Sequence, residues 1–444
     1  MSDTAADEQR RETPGEGAAS GTAEPIGSFL DPAIQDDPFD TYAAMREQCP
    51  VHRLPENDLY MVTRFDDAKS VLTDPGTFSN DPRGTARRAS EASRASAAVF
   101  AERGWVRAQT LQRTDPPVHT HYRRLVSRAF TAKRMESLVP RIDELCHELI
   151  DGFIDSGECE FVADFALPLP GIIICEQLGL DASEYPTFKS WADAMLATAQ
   201  KVLTPHEAVA YAEVELEAQH HLAREFATRR AEPADDIISW LVHAHLDDDA
   251  SSINSTAIDE PLTDEELQDL LHQLVTGGFE TTTAALGTGL WLLLRYPDQM
   301  VKLRADRSLL NNFIDESLRF DSPVAGLWRT ATCPATVAGA EIPQGASVMV
   351  RYAAANRDPA KFDNPDTFDI ERPDAKDHLA FGWGNHFCVG AWLARAELRC
   401  AFTALLDRLD DIELSRPLDE LPHEFSFMLR PLRELPIRFA AARR

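Results

Sequence analysis

No stretch of this chain strings together the roughly eighteen apolar residues that a membrane-spanning helix needs. The longest approach, Leu286 to Leu294, is too short to cross a bilayer. Basic residues are scarce: 44 Lys and Arg stand against 73 Asp and Glu, a net charge of −29. That balance argues against nonspecific binding to nucleic acid and against an anionic membrane surface. Paired cysteine spacing is missing too. The seven cysteines (Cys49, Cys146, Cys159, Cys175, Cys333, Cys388, Cys400) are scattered and odd in number, which reads as reduced thiols in a cytoplasmic protein. There is no internal repeat and no Gly-x-Gly-x-x-Gly turn after a strand, which argues against a fused reductase.

What is present is enough apolar material, 44% of 444 residues, for a large core. Residues 1–25 are rich in Ala, Gly, Ser, Thr and Glu without an apolar run, and are expected to form a disordered tail. Residues 26–444 show no interior shift in composition and read as one domain. Strand signals are few: Val51–Leu54 with Leu59–Val62, and Ala346–Val350. Helical patterns dominate from Asp115 onward, over 135–153, 185–199, 205–231 and 235–245. Asp115-Pro116-Pro117 opens a basic helix that runs to about Phe130. The longest pattern begins at a capping box, Thr263 and Glu266, and ends at Tyr296-Pro297. That is roughly 50 Å of helix at about 1.5 Å per residue. The fold class is mainly α, with small sheets.

The most informative segment is Phe381-Gly382-Trp383-Gly384-Asn385-His386-Phe387-Cys388-Val389-Gly390. A helical pattern follows Cys388 at once, so the cysteine lies at a helix N-terminus, where N–H groups and the helix dipole favour a thiolate. One thiolate is too few for zinc or an iron–sulfur cluster, which need about three or four ligands; it suits haem iron. The segment resembles the haem-binding loop of the cytochrome P450 family. Together with the motifs below, in the same order, the resemblance runs from about Asp37 to Phe439. It implies a single-domain fold with a long central helix over haem b, and Cys388 as the metal ligand. It also implies Phe381, Gly382 and Gly390 packed against the cofactor.

Gly277-Gly278-Phe279-Glu280-Thr281-Thr282 sits in the middle of the long helix. Glycine there costs about 1 kcal/mol relative to alanine and invites a kink. Thr281 lies four residues after Gly277, so its hydroxyl can meet the loosened Gly277 carbonyl. The run resembles the family's oxygen-activating motif, which implies that Thr281 orients water and Glu280 feeds protons toward O2. Glu316 and Arg319, three apart on one helical face, resemble the family's Glu-x-x-Arg element, with Arg372 as the third member of a buried brace. By the same resemblance His119, Arg123, Arg329 and His378 bind the haem propionates, with His386 a weaker candidate. The substrate pocket is expected to include Gln273, Thr276, Val324, Ala325, Leu327, Phe427 and Met428. Gln273 or Thr276 is a candidate hydrogen-bond partner for substrate. The basic segment from Arg83 to Arg113 could draw a carboxylate.

These features point to a monooxygenase for a small-to-medium terpenoid, fatty acid, steroid or aromatic substrate. Its electrons are expected from a separate 2Fe-2S ferredoxin and ferredoxin reductase, docking at Arg124, Arg128, Lys133, Arg134, Arg395 and Arg399. A monomer is the default. The alternatives are a haem sensor or electron carrier without turnover, or a peroxide-driven oxygenase. The Glu280-Thr281 pair counts against both.

Overall fold

The computed structural model of the chain describes residues 31–54, 59–85, 89–244, 261–417, 421, 423–424 and 426–442. The expected tail at 1–25 lies outside them, as do Arg87 and Arg88. Helices carry most of the described chain. The largest core cluster joins helices Ala132–Asp151, Pro168–Leu178, Ala391–Arg408 and the central element.

The five-stranded sheet runs Val51–Leu54, Leu59–Val62, Ser347–Val350, Leu327–Ala331, Phe78–Ser79. Leu59–Val62 pairs in parallel with Ser347–Val350, and the other neighbours are antiparallel. A three-stranded sheet joins Glu158–Glu160, Pro436–Ala441 and Leu409–Leu414. A short hairpin, Ala335–Val337 with Ala340–Ile342, turns at Ala338 and Gly339, both at positive φ. Such turns match the right-handed twist of the paired strands.

The central element is two helices, Asp264–Gly278 and Glu280–Arg295, rather than one. The expected capping box is present: Thr263 Oγ1 accepts from Glu266 N, and Glu266 returns the bond to Thr263 N. The break falls at Phe279 (φ −95, ψ −71), directly after the glycine pair. The ladder survives it, because Phe279 N donates to Val275 O and Thr283 N to Phe279 O. Other boundaries shift modestly. The helix expected over 235–245 is ordered as Ile237–Val242. Pro168–Leu178 is an additional helix, buried on nearly all sides, so its sequence carries no amphipathic period to read.

Candidate functional site

A cavity lies between the cysteine loop and the central element. Phe381, Gly382, His386, Cys388 and Gly390 line it from the loop, and Gly277, Thr281 and Ala285 from the helices. The loop is held in shape by its own backbone. Gly382 N donates to Leu379 O at 2.8 Å, Phe387 N to Gly384 O at 3.1 Å, and Cys388 N to Phe381 O at 2.9 Å. Gly382 and Gly384 sit at φ near +71 and +72, conformations that a side chain strains. Burial pushes the Cys388 thiol up, while the Gly390 N–H and the Arg123 and Arg395 guanidiniums pull it down. A metal ion bound to the sulfur reverses that balance, since a coordinating thiol is deprotonated.

The same cavity is edged by His119, Arg123, Arg329 and His386. The His119 and His386 rings lie 4.1 Å apart, and the Nε2 atom of each is buried without a hydrogen-bond partner. Burial lowers both pKa values, that of His386 to about 3. Arg329 is buried, donates to Trp328 O at 2.8 Å, and has no ion-pair partner among the described residues. Arg123 donates to Phe387 O at 2.5 Å and is likewise without a carboxylate there. A buried guanidinium without an anion is costly. Two cations and two unpartnered imidazole nitrogens at one edge fit a ligand carrying carboxylates, with the Cys388 sulfur in the same cavity for its metal.

The sequence model of the family described as Cytochrome P450 matches residues 187–435. The chain is 36% identical to "Cytochrome P450 monooxygenase PikC" of Streptomyces venezuelae over 92% of each. It is 35% identical to "6-deoxyerythronolide B hydroxylase" of Saccharopolyspora erythraea, over 92% of this chain and 98% of that one. It belongs to the cytochrome P450 family. Among solved structures, "myxobacterial cytochrome P450 CYP267B1 in complex with myristic acid" superposes with a TM-score of 0.82 at 33% identity, covering 93% and 98% of the two chains. P450s bind haem b and use dioxygen, and this chain is a P450 monooxygenase, an oxidoreductase. The expected fold is the observed one. No helix among the described residues is long and apolar enough to cross a membrane.

Within this P450, Glu316, Arg319 and Arg372 meet in the interior. Arg319 Nε and Nη2 donate to the Glu316 carboxylate at 2.6 and 2.9 Å, and Arg372 Nε at 3.1 Å. The guanidiniums also hold the carbonyls of Asn356, Pro365, Asp363 and Asn364. The Asn356 side chain accepts from Leu379 N at 2.6 Å, so the brace reaches the cysteine loop through one residue. On the central element, Thr281 Oγ1 donates to Gly277 O at 2.7 Å and lines the cavity.

Several expected placements are corrected. His378 does not line the cavity: its Nδ1 accepts from Ala380 N, and its Nε2 lies 3.4 Å from Asp315, a nearer anion. His386, the weaker candidate, is the one at the cavity edge. Glu280 is also not a lining residue; it turns to Lys189, 3.3 Å away, and burial raises its pKa more than that cation lowers it. Gln273 reaches the cavity, but its amide is spent on protein. It donates to Thr110 Oγ1 and Asp269 at 2.8 and 2.7 Å and accepts from Gln112 N at 2.8 Å. Thr276 does not line the cavity, and its Oγ1 donates to His272 O. Gln273 clasps the loop before the helix Val118–Ala129 to the central element. Val324 and Leu327 line the cavity, whereas Ala325, Phe427 and Met428 do not; Ala325 N is engaged by Met428 O. Leu111, Ile174, Leu274 and Glu397 are lining residues that sequence reading missed, because tertiary packing alone brings them there.

Among the described residues of the basic stretch, Arg83 pairs with Asp81, Arg103 with Glu213 and Arg107 with Glu215. Arg124 and Lys133 are exposed, as are Phe387, Trp383 and Trp392, the last at 64%. Arg395 is held by Asp315 at 2.9 Å and stacks over Phe381, which removes it from the expected docking set.

Proposed function

We propose that this P450 inserts one atom of dioxygen into a lipophilic substrate of fatty-acyl, sterol or macrolactone size, with electrons from a 2Fe-2S ferredoxin. Cys388 holds the iron, and His119, Arg123, Arg329 and His386 take the two carboxylates of haem b. Bound haem supplies the redox chemistry that cleaves the O–O bond. The protein does the rest. The Thr281 proton is committed to Gly277 O, so the hydroxyl oxygen is left to accept a hydrogen bond from cavity water. Glu280, paired with Lys189, receives protons from outside the cavity and passes them inward.

The observation that carries this reading is the placement of a lone thiol and a backbone-tethered threonine in one cavity. The substrate class is supported by the apolar wall of Leu111, Ile174, Leu274, Val324 and Leu327. It is also supported by relatives named for 6-deoxyerythronolide B and vitamin D(3) hydroxylation and by the structural neighbour holding myristic acid. Exposed Arg124 and Lys133, together with exposed Phe387 and Trp392, suit an acidic partner with an apolar centre.

The test is the reduced-minus-oxidised optical difference spectrum under carbon monoxide, followed by spin-state titration with a macrolactone, a sterol and a fatty acid. A thiolate-type band and a shift with at least one of the three are expected. A band of the thiol- or histidine-ligated kind refutes the ligand assignment, and failure of all three compounds refutes the substrate class.

A further inference from the structure

We propose that Gln112 sets the substrate preference of this cavity, its carboxamide selecting a neutral lipophilic molecule with a carbonyl or hydroxyl over an ionised fatty acid. The proposal rests on the monooxygenase reading above and narrows its substrate class.

Gln112 lies in the short helical turn Leu111–Arg113 and lines the cavity beside Leu111. Its backbone is held from two sides. The Gln112 N–H donates to Gln273 Oε1 at 2.8 Å, and the Gln112 carbonyl accepts from Asn80 Nδ2 at 3.1 Å, so it stays held when either partner is lost. The chain leading to it is fixed at three earlier points. Trp105 N donates to Gln219 Oε1 at 2.9 Å, and Gln219 Nε2 donates back to Trp105 O at 3.0 Å. Arg107 donates to Glu215 at 2.8 Å and lies 2.8 Å from His272 Nε2. Thr110 Oγ1 donates to Asp269 at 2.6 Å and accepts from Gln273 Nε2 at 2.8 Å. Glu215 and Gln219 stand on the helix Pro205–Ala231, and Asp269, His272 and Gln273 on Asp264–Gly278. All five are buried. Polar side chains of two helices thus fix one loop, with Gln112 at the end that meets the cavity.

The Gln112 side chain is spent on none of this. It is exposed, and among the described residues its amide makes no hydrogen bond. Its neighbours on the wall differ: the Gln273 amide is saturated by protein, and the Thr281 proton is given to Gly277 O. A carboxamide offers donors and an acceptor from one group. On a backbone already fixed, binding has only the side chain left to order, which lowers the entropy cost of the contact. The apolar wall takes the body of the substrate and the amide takes one oxygen of it.

Charge disfavours the ionised acid. Arg123 and Arg329 stand with His119 and His386 at the edge assigned to the haem carboxylates, and no other Lys or Arg among the described residues lines the cavity. An amide hydrogen-bonds a carboxylate without neutralising it, so an ionised acid gives up its hydration and gains no counter-charge. A lactone, ketone or alcohol carries no charge to desolvate.

The test is spin-state titration of the haem-loaded enzyme at neutral pH with three probes of one size: a large-ring lactone, the cycloalkane of the same ring size, and the linear fatty acid of the same carbon number. The lactone should bind several-fold more tightly than either of the others. Gln112→Leu keeps the backbone N–H and carbonyl and so keeps both clasps. It should weaken the lactone about three- to tenfold, the range of one hydrogen bond. Cycloalkane affinity should stay within about a factor of two, as expected of a pair that differs only in that hydrogen bond. The urea midpoint should not move, because the side chain ties nothing together. Gln112→Glu loses the amide donor, so it should weaken the lactone, which only accepts, more than the matching cycloalkanol, which also donates. A lactone-to-cycloalkane ratio that is unchanged in Gln112→Leu refutes the proposal, as does wild-type enzyme that prefers the fatty acid. If Gln112→Leu does not load haem, Gln112→Met, apolar and unbranched, decides on the same ratio. No shift with any probe while the thiolate-type carbon monoxide band is present refutes the lipophilic substrate class and this proposal with it. Absence of that band in the wild type refutes the monooxygenase reading itself, and the proposal falls with it.

Discussion

Glu316→Gln removes one negative charge from between two buried guanidiniums while keeping the side-chain volume. Glu316 and Arg319 are fully buried and Arg372 nearly so. The carboxylate accepts four hydrogen bonds: two from Arg319, one from Arg372 Nε and one from Asp369 N at 3.1 Å. An amide turns one of its ends into a donor facing donors. Removing one partner of a buried ion network costs about 3–5 kcal/mol, because the remaining charges stay desolvated. Against a total stability on the order of 5–15 kcal/mol, that is about a fifth or more. The loss should propagate: Arg319 holds Asn356 O, Asn356 holds Leu379 N, and Leu379 O holds Gly382 N, three residues that lead into the cysteine loop. Urea unfolding followed by circular dichroism, with haem absorbance read in parallel, should therefore show a lower midpoint and earlier loss of the thiolate-type carbon monoxide band. A destabilisation below about 1 kcal/mol, the range of exposed ion pairs, would refute the claim that this brace stabilises the fold.

Gln273→Leu should leave Asp269 and Gln112 N short of partners and cost about 1–3 kcal/mol. Proteolysis of the loop at 104–114 should accelerate while substrate affinity, read by spin shift in the intact fraction, changes little. Gly277→Ala should be tolerated, because a Cβ there meets no atom within 4 Å. Relief of the helix-interior glycine should stabilise the protein by up to about 1 kcal/mol, while the added methyl in the cavity should weaken binding of the largest substrates, measured by spin-state titration. Arg124→Glu with Lys133→Glu should slow ferredoxin reduction several-fold at low salt and flatten its salt dependence; stopped-flow rates that do not move would remove this face as the docking site. Glu397 is raised from its ordinary 4.5 to about 8, so its contribution to stability is complete below pH 4.5 and is lost as pH rises toward 8. The loss is about 3–5 kcal/mol at 1.36 kcal/mol per unit, and Glu397→Gln should flatten that part of the urea-midpoint profile.

The legible parts of this protein were those whose chemistry is local. The ten residues around Cys388 name their ligand because a helix N-terminus, glycines at positive φ and one thiolate are all written in adjacent positions. The capping box at Thr263, the Thr281–Gly277 tether and the Glu316–Arg319 pair follow from spacings of three and four on a helix, which fix the geometry before any tertiary contact forms. Even the break after the glycine pair was foreseeable in kind, though its place at Phe279 was not.

Contacts between segments far apart in sequence were illegible. His378 and His386 look alike as candidate propionate donors, and only the arrival of Asp315 beside one of them decides between the two. Gln273 sits on the right helical face for a substrate contact, yet a loop about 160 residues earlier consumes its amide. Glu397 stands in the helical pattern after Cys388, where spacing alone does not mark it as a cavity group. Folding buries it against Thr282, without a cation, at the wall of the cavity. Sequence by itself determined the family, the candidate metal ligand and the helical spacings, because those depend on neighbours along the chain. The tertiary structure alone decided which polar groups face the cavity and in what state of charge, because desolvation and partner choice exist only once the chain has closed around them.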